Sequence, residues 1–146
     1  MAGLLHDIGL TKLPKHVVET DYSKLVPGDK MIFQNHVRLS VKMMKKQRLV
    51  LPELVYKIVQ QHHERYNGTG YPEQISGNKI CKEAQILAFA DIFDEMTNAV
   101  EDKKTVADVI QYFIRTMAEK NAFLIEPSLL RQILRIMAVD DKKQAA

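Results

Sequence analysis

The chain has 146 residues, 46% of them hydrophobic and 27% charged, the balance of one soluble globular domain. That composition excludes a disordered tail, a collagen-like repeat and a disulfide-stapled secreted module. Twenty-one basic residues stand against eighteen acidic ones. The small surplus suits an anionic small substrate and argues against a dedicated binder of nucleic acid polymer, which must neutralise many phosphates.

Cys81 is the sole cysteine, so neither an internal disulfide nor a thiolate-rich zinc site can form. A reducing, cytoplasmic compartment is expected. The first residues, MAGLLHDIGLTK, carry no basic n-region, and their apolar run stops at His6-Asp7, so they do not read as a signal peptide. No uncharged stretch approaches the roughly 20 residues that span a bilayer.

Taken in chain order, residues 2–9 predict a short apolar helix closed by Gly9. Residues 10–26 predict irregular chain with one helical turn near Lys15–Val18. From Val26-Pro27-Gly28-Asp29 a periodic run extends to about Lys46, placing Met31, Ile32, His36, Leu39 and Met43 near one face. Pro52 fits the first position of another helix, along which Leu54, Val55, Ile58, Val59, His62 and His63 keep the three-to-four spacing. Gly68, Gly70, Pro72 and Gly77 mark an ordered loop. Residues 82–98 predict a helix with Ala84, Leu87, Ala88 and Asp91 on one stripe, and helices near 105–120 and 127–139 follow. Residues 140–146 predict a polar frayed tail. No run alternates as a strand does, so the class is all-α.

Polar, metal-competent residues interrupt this apolar pattern in four places. His6-Asp7 ends the first apolar run, His36 lies on the inner stripe of its helix, His62-His63 ends an aliphatic helix, and Asp91 sits within ILAFADIFDEM. Each has an ordinary reading alone. A histidine on an apolar stripe can be a hydrogen-bonded core residue, and a histidine pair at a helix end can complement the dipole. Asp91 is the stronger signal, because a buried carboxylate without a partner is costly. His16 reads as a solvated loop residue. Together, four imidazoles and two carboxylates drawn to one interior spot match the ligand chemistry of an iron, manganese or zinc pair. Helical bundles build such sites from side chains on facing helices. A carboxylate such as Asp7 can bridge two metals about 3.5–4 Å apart, a geometry suited to phosphoester hydrolysis.

The order of these residues resembles the HD-GYP subgroup of the HD-domain metal phosphohydrolases. The match runs through His6-Asp7-Ile8-Gly9, His36, and the stretch from His62-His63-Glu64 to Gly68-Thr69-Gly70-Tyr71-Pro72. Ile75–Ile80 and Ala90–Thr97 continue it. The resemblance covers about residues 1–100, with 101–146 similar to more variable closing helices. It implies a helical bundle of the HD-domain type around two divalent ions, iron or manganese foremost and zinc also suitable. It further implies hydrolysis of the bacterial second messenger cyclic di-GMP to pGpG or GMP. Carried over by position, His6, Asp7, His36, His62, His63 and Asp91 are the implied metal ligands, with Asp7 bridging. Gly68, Gly70, Tyr71 and Pro72 form the implied substrate loop, which in the family is also a docking surface for diguanylate cyclase (GGDEF) domains.

Three departures bear on activity. The family usually has Lys directly after His-Asp-x-Gly, where this chain has Leu10; Lys12, two positions on, is the candidate replacement for contact with a substrate phosphate. Asn67 stands where Asp usually precedes the first loop glycine. Asn98-Ala99-Val100-Glu101 replaces a common Arg-Pro-Tyr stretch. The alternative to a phosphodiesterase is therefore a catalytically degenerate regulatory module that binds cyclic di-GMP or a cyclase domain; another nucleotide phosphohydrolase of HD type is a third reading. Residues 1–139 are read as the HD-GYP domain. Because the motif begins only six residues in, either the family's first helix lies outside this chain or the site is completed by water or a partner; many members of the family also carry an upstream sensory domain.

Overall fold

The computed structural model describes residues 1–47, 50–98 and 124–144, together with the helical positions Asp108, Gln111 and Arg115. All regular structure among the described residues is helical, in agreement with the all-α reading. The helices are α1 (Ala2–Leu5), α2 (Lys15–Glu19), α3 (Pro27–Gln34), α4 (His36–Lys46), α5 (Glu53–Gln61), α6 (Lys82–Asn98) and α7 (Pro127–Gln144). Single 3-10 turns occupy Ile8–Lys12, Tyr22–Lys24 and Gly77–Lys79. Most of the helix anticipated at 105–120 lies outside the described residues. No helix among the described residues is long and apolar enough to cross a membrane.

The helix boundaries differ from the sequence pattern in informative ways. The first helix stops at Leu5, not at Gly9, and Gly9 is buried inside the following 3-10 turn. The run from 27 to 46 is divided at Asn35 into α3 and α4. There the Phe33 carbonyl accepts a bond from the His36 ring at 2.7 Å, so a side chain takes an acceptor that a continuous helix would pair internally. Pro52 is the N-cap of α5 and not its first helical residue. Helix α7 continues to Gln144, through most of the segment expected as a frayed tail; Asp140–Gln144 contains neither glycine nor proline to stop it.

Two apolar clusters hold the elements together. Met44, Tyr56 and Val59 form the first, packed by Ala2, Leu5, Val41, Leu51 and Val55 from α1, α4, α5 and the chain leading into α5. Phe89, Ile125 and Leu129 form the second, which joins α6 to α7. The anticipated inner face of α3 is not inside: Met31 is 73% exposed and Ile32 41%. Leu54 is likewise exposed, and Tyr56 takes the core position on α5. Periodicity located helical segments but joined α3 to α4 and placed these stripes a residue or two out of phase, because short helices with several aliphatic residues leave the buried face underdetermined.

The turn carrying the first motif is seated on α4 by one buried serine. The Gly9 N–H donates to Ser40 Oγ at 2.8 Å, and Ser40 Oγ donates to the His6 carbonyl at 2.6 Å. This contact leaves no room for a side chain at position 9, where a Cβ would collide with the His36 carbonyl and the Ser40 nitrogen, both backbone atoms. Gly9→Ala is therefore expected to destabilise the fold by about 1–3 kcal/mol, the usual cost of overpacking, as a lower denaturation midpoint. It should also displace Asp7, read out as weaker metal retention.

Candidate metal centre

Three histidines are presented by helix ends. His6 is the C-cap of α1, His36 opens α4 directly after the break, and His62 is the C-cap of α5. Each ring nitrogen Nδ1 faces the backbone carbonyl three residues earlier: Gly3 at 2.9 Å, Phe33 at 2.7 Å and Val59 at 2.7 Å. A carbonyl can only accept, so Nδ1 carries the proton in each ring. With Nδ1 protonated, a neutral imidazole presents the lone pair of Nε2 to the interior, as metal-ligating histidines commonly do.

The three Nε2 atoms converge on Asp7. Oδ1 of Asp7 lies 3.2 Å from His36 and 3.7 Å from His62, while Oδ2 lies 3.3 Å from His6. His6 Nε2 is also 3.6 Å from Asp91 Oδ1, contributed by α6. These are close approaches without directed hydrogen bonds: His6 Nε2, His36 Nε2, His62 Nε2 and Asp7 Oδ1 are all buried and lack a hydrogen-bond partner. A buried polar atom left unsatisfied costs about 1–3 kcal/mol, so four at one spot are not an ordinary polar core. Divalent cations held at this spot would satisfy them, and the donor set of imidazole and carboxylate suits iron, manganese or zinc.

The candidate ligands fall into two overlapping groups. Asp7, His36, His62 and His63 can meet around one ion, and His6, Asp7 and Asp91 around another. Asp7 belongs to both. All six sequence-derived metal candidates are thus brought together. Burial opposes ionisation of Asp7, yet the contacts with His36, His6 and His62 carry its pKa well below the ordinary carboxylate range. Asp7 and Asp91 raise His6 to about 10 despite its burial. His63 is pushed the other way, first by burial and then by neighbouring His62 and His36, and stays neutral and able to ligate.

The glycine-rich loop lies against this cluster at His63, whose carbonyl accepts the Tyr71 N–H at 3.1 Å. The Tyr71 ring stacks on His63 with centroids 4.7 Å apart at 27°. Gly68 has φ +80°, in the region that favours glycine. At Gly70 a Cβ would strike the backbone of His63, Glu64 and Arg65, so this glycine lets the loop fold back onto its own start. Pro72 lies beyond Tyr71 at the loop surface, where its carbonyl faces Arg38. Lys12 is exposed on the last turn of Ile8–Lys12, and Leu10 is half-buried. His16 is exposed, 3.6 Å from Asp29. Of the departing stretch Asn98–Glu101, Asn98 ends α6 and the remainder lies outside the described residues.

Two important residues escaped the sequence reading. Ser40 is one. The other is Glu64, which lies inside the motif directly after the histidine pair. It is 1% exposed, and its carboxylate accepts the Glu73 N–H at 2.7 Å and the Ile75 N–H at 3.1 Å. Burial raises its pKa, with these backbone donors opposing. A carboxylate directly after a histidine pair and four places before a glycine was the available signal.

The HD domain family model matches residues 1–123, and the chain belongs to the HD-domain family, with the loop of its HD-GYP subgroup. It is 33% identical over 99 residues to the cyclic di-GMP phosphodiesterase response regulator RpfG of Xanthomonas campestris, covering 68% of this chain and 26% of that protein. It is 30% identical over 133 residues to 3'3'-cGAMP-specific phosphodiesterase 2 of Vibrio cholerae, covering 91% of this chain and 25% of the relative. The chain thus spans about a quarter of the length of these curated relatives. In fold it resembles Bd1817, a HDG"Y"P protein from Bdellovibrio bacteriovorus, with a TM-score of 0.68 at 18% identity, over 94% of this chain and 42% of that one.

Glu64→Gln replaces an acceptor-only group by one that presents an amide donor to backbone N–H groups. It is expected to cost about 1–3 kcal/mol and to speed proteolysis within residues 66–78 while leaving the helices folded. Denaturant unfolding and limited proteolysis read the two effects separately.

Proposed function

We propose that this chain is the catalytic part of a metal-dependent phosphodiesterase acting on cyclic di-GMP, with pGpG or GMP as product. The observation that carries the reading is the set of four buried, unpartnered donor atoms around Asp7, roofed by the loop that stacks Tyr71 on His63. The named relatives suggest the substrate class: one is a cyclic di-GMP phosphodiesterase and another a 3'3'-cGAMP-specific one.

His6, Asp7, His36, His62, His63 and Asp91 would hold two divalent ions, with Asp7 shared between them. Bound there, such ions draw charge from a phosphodiester and make water a competent nucleophile near neutral pH. The protein's own contribution is orientation. The backbone carbonyls of Gly3, Phe33 and Val59 fix the imidazole rings, Ser40 fixes the turn bearing Asp7, and Tyr71 limits access to His63. Gly68 and Gly70 shape the loop, and Tyr71 and Pro72 border the substrate. Lys12, exposed at the end of the turn that follows Asp7, would draw in the anionic substrate, so Lys12→Ala is expected to raise KM more than it lowers kcat. The exposed rim of the loop, Asn67, Thr69, Glu73 and Gln74, would be available to a GGDEF domain, and an upstream sensory domain would control access.

A second reading follows from Leu10, an apolar half-buried residue where the family usually places a cation. On that reading the chain binds cyclic di-GMP or a cyclase domain without hydrolysis. Elemental analysis paired with a cyclic di-GMP turnover assay decides between them. The expected result is about two divalent ions per chain and release of pGpG or GMP; a metal-loaded protein that binds cyclic di-GMP and never cleaves it would establish the regulatory reading. Asp7→Asn is expected to lower both metal content and turnover, the latter by at least about 100-fold.

Metal uptake should also displace a proton. With His6 raised to about 10, the metal-free chain carries an imidazolium at pH 8, where an unperturbed imidazole near 6.5 would already be neutral. Ligation requires the neutral ring, so binding at pH 8 is expected to release about one proton per chain through His6. Release should diminish as pH rises past 10. Calorimetry in buffers of different ionisation enthalpy measures it, and His6→Ala should remove it.

A further inference from the structure

Beside the metal cluster lies a cavity of about 410 Å³ whose lining includes Met31, Ile32, Asn35, Arg38, Tyr71 and Pro72. Its size falls within the range of small-ligand sites, about 300–1,000 Å³. Neither Met31 nor Ile32 serves the core, since both are exposed on α3. Tyr71 is the wall between cavity and cluster, because the residue that lines the cavity is also stacked on His63. Asn35 immediately precedes the buried His36 at the break between α3 and α4.

We propose that this cavity seats a guanine base of the cyclic dinucleotide, with Arg38 reading it. The proposal rests on the phosphodiesterase reading above and adds the residue that selects the base. A ligand whose phosphodiester lies at the cluster must extend its sugar and base to one side, and the cavity opens next to the cluster across Tyr71. Its walls suit a base in two respects. Tyr71, Pro72, Met31 and Ile32 offer flat or apolar surface for the ring faces, as protein sites for unpaired bases do. Arg38 and Asn35 offer edge contacts, and arginine pairs bidentately with guanine O6 and N7, a pattern adenine does not present.

Arg38 is also held in place. Its Nη2 donates to Glu73 Oε1 at 2.9 Å and reaches the Pro72 carbonyl at 3.4 Å, both on the loop that carries Tyr71. A guanidinium has five N–H donors, so these contacts orient the plane and leave donors for a ligand. The base-reading group is thereby tied to the same loop as the ring that covers His63.

The test uses the metal-loaded full chain and three probes containing two, one and no guanines: cyclic di-GMP, 3'3'-cGAMP and cyclic di-AMP. Binding is measured by calorimetry, and hydrolysis is followed on the same samples. The expected result is that both guanine-containing probes bind at least about tenfold more tightly than cyclic di-AMP. Arg38→Ala should collapse that ratio, whereas loss of a merely structural arginine would weaken all three probes alike. Ile32→Trp, a substitution at an exposed position that fills the cavity without touching the Arg38–Glu73 pair, should weaken all three cyclic dinucleotides more than it weakens inorganic phosphate. Equal binding of the three probes to the unaltered protein, or a ratio that survives Arg38→Ala, would overturn the proposal even if hydrolysis proceeds. Guanine selectivity without hydrolysis would support the base site and overturn the phosphodiesterase reading instead.

Discussion

Everything at the centre of this protein depends on a repeated short-range bond, an imidazole Nδ1–H to the carbonyl three residues before it. It occurs at His6, His36 and His62, and each time at a helix end or break. Helix ends leave carbonyls without intrahelical partners, so the chain has acceptors to offer where it also places its histidines. The bond fixes the tautomer and aims Nε2 inward in one step. Had these histidines stood in mid-helix, the same carbonyls would be engaged and the rings free to turn. The broken helices are therefore a condition of the cluster and not an irregularity beside it.

Convergence of the three rings then requires the turn bearing Asp7 to sit hard against α4. Ser40 and Gly9 provide this without any apolar burial of their own, through a two-bond bridge and an absent side chain. Apolar packing acts further out, where Met44, Tyr56 and Val59 bring α1, α4 and α5 to one core. The division is physically sensible. Dispersion contacts tolerate shifts of a few tenths of an ångström, whereas ligand positions do not, and the directional bonds lie next to the ligands.

Much of this was legible in the chain. The six ligand candidates stood out because polar groups interrupted apolar periodicity, and burying such groups is expensive enough that the pattern carries meaning. The bounds expected for α6 match Lys82–Asn98, seventeen residues that contain neither glycine nor proline. Other features were hidden for identifiable reasons. The break at Asn35 coincides with a ring–carbonyl bond that no periodicity encodes, so one run of spacing spans both α3 and α4. Gly9 looked like a helix terminator because glycine serves there often; its actual role, close approach to Ser40 on α4, is a long-range fact. Ser40 itself carries no local signal at all. Tyr56 was passed over for Leu54 because a short helix with several aliphatic residues leaves the phase of its buried face underdetermined.

The loop shows why net charge was a poor guide to this site. A surplus of +3 says little when the decisive charges are buried and locally matched. Glu64 places a carboxylate in the interior, but backbone N–H groups of Glu73 and Ile75 meet it, so the anion serves as the loop's internal anchor. Asp7 is the opposite case, a carboxylate held ionised by imidazoles that are not properly bonded to it. Satisfied, a buried charge stiffens its surroundings; unsatisfied, it asks for a cation. With Glu64 of the first kind and Asp7 of the second, the chain has a rigid roof over an electrostatically incomplete floor. On the proposed reading, that contrast would confine reactivity to one side of Tyr71 and leave the other side for recognition.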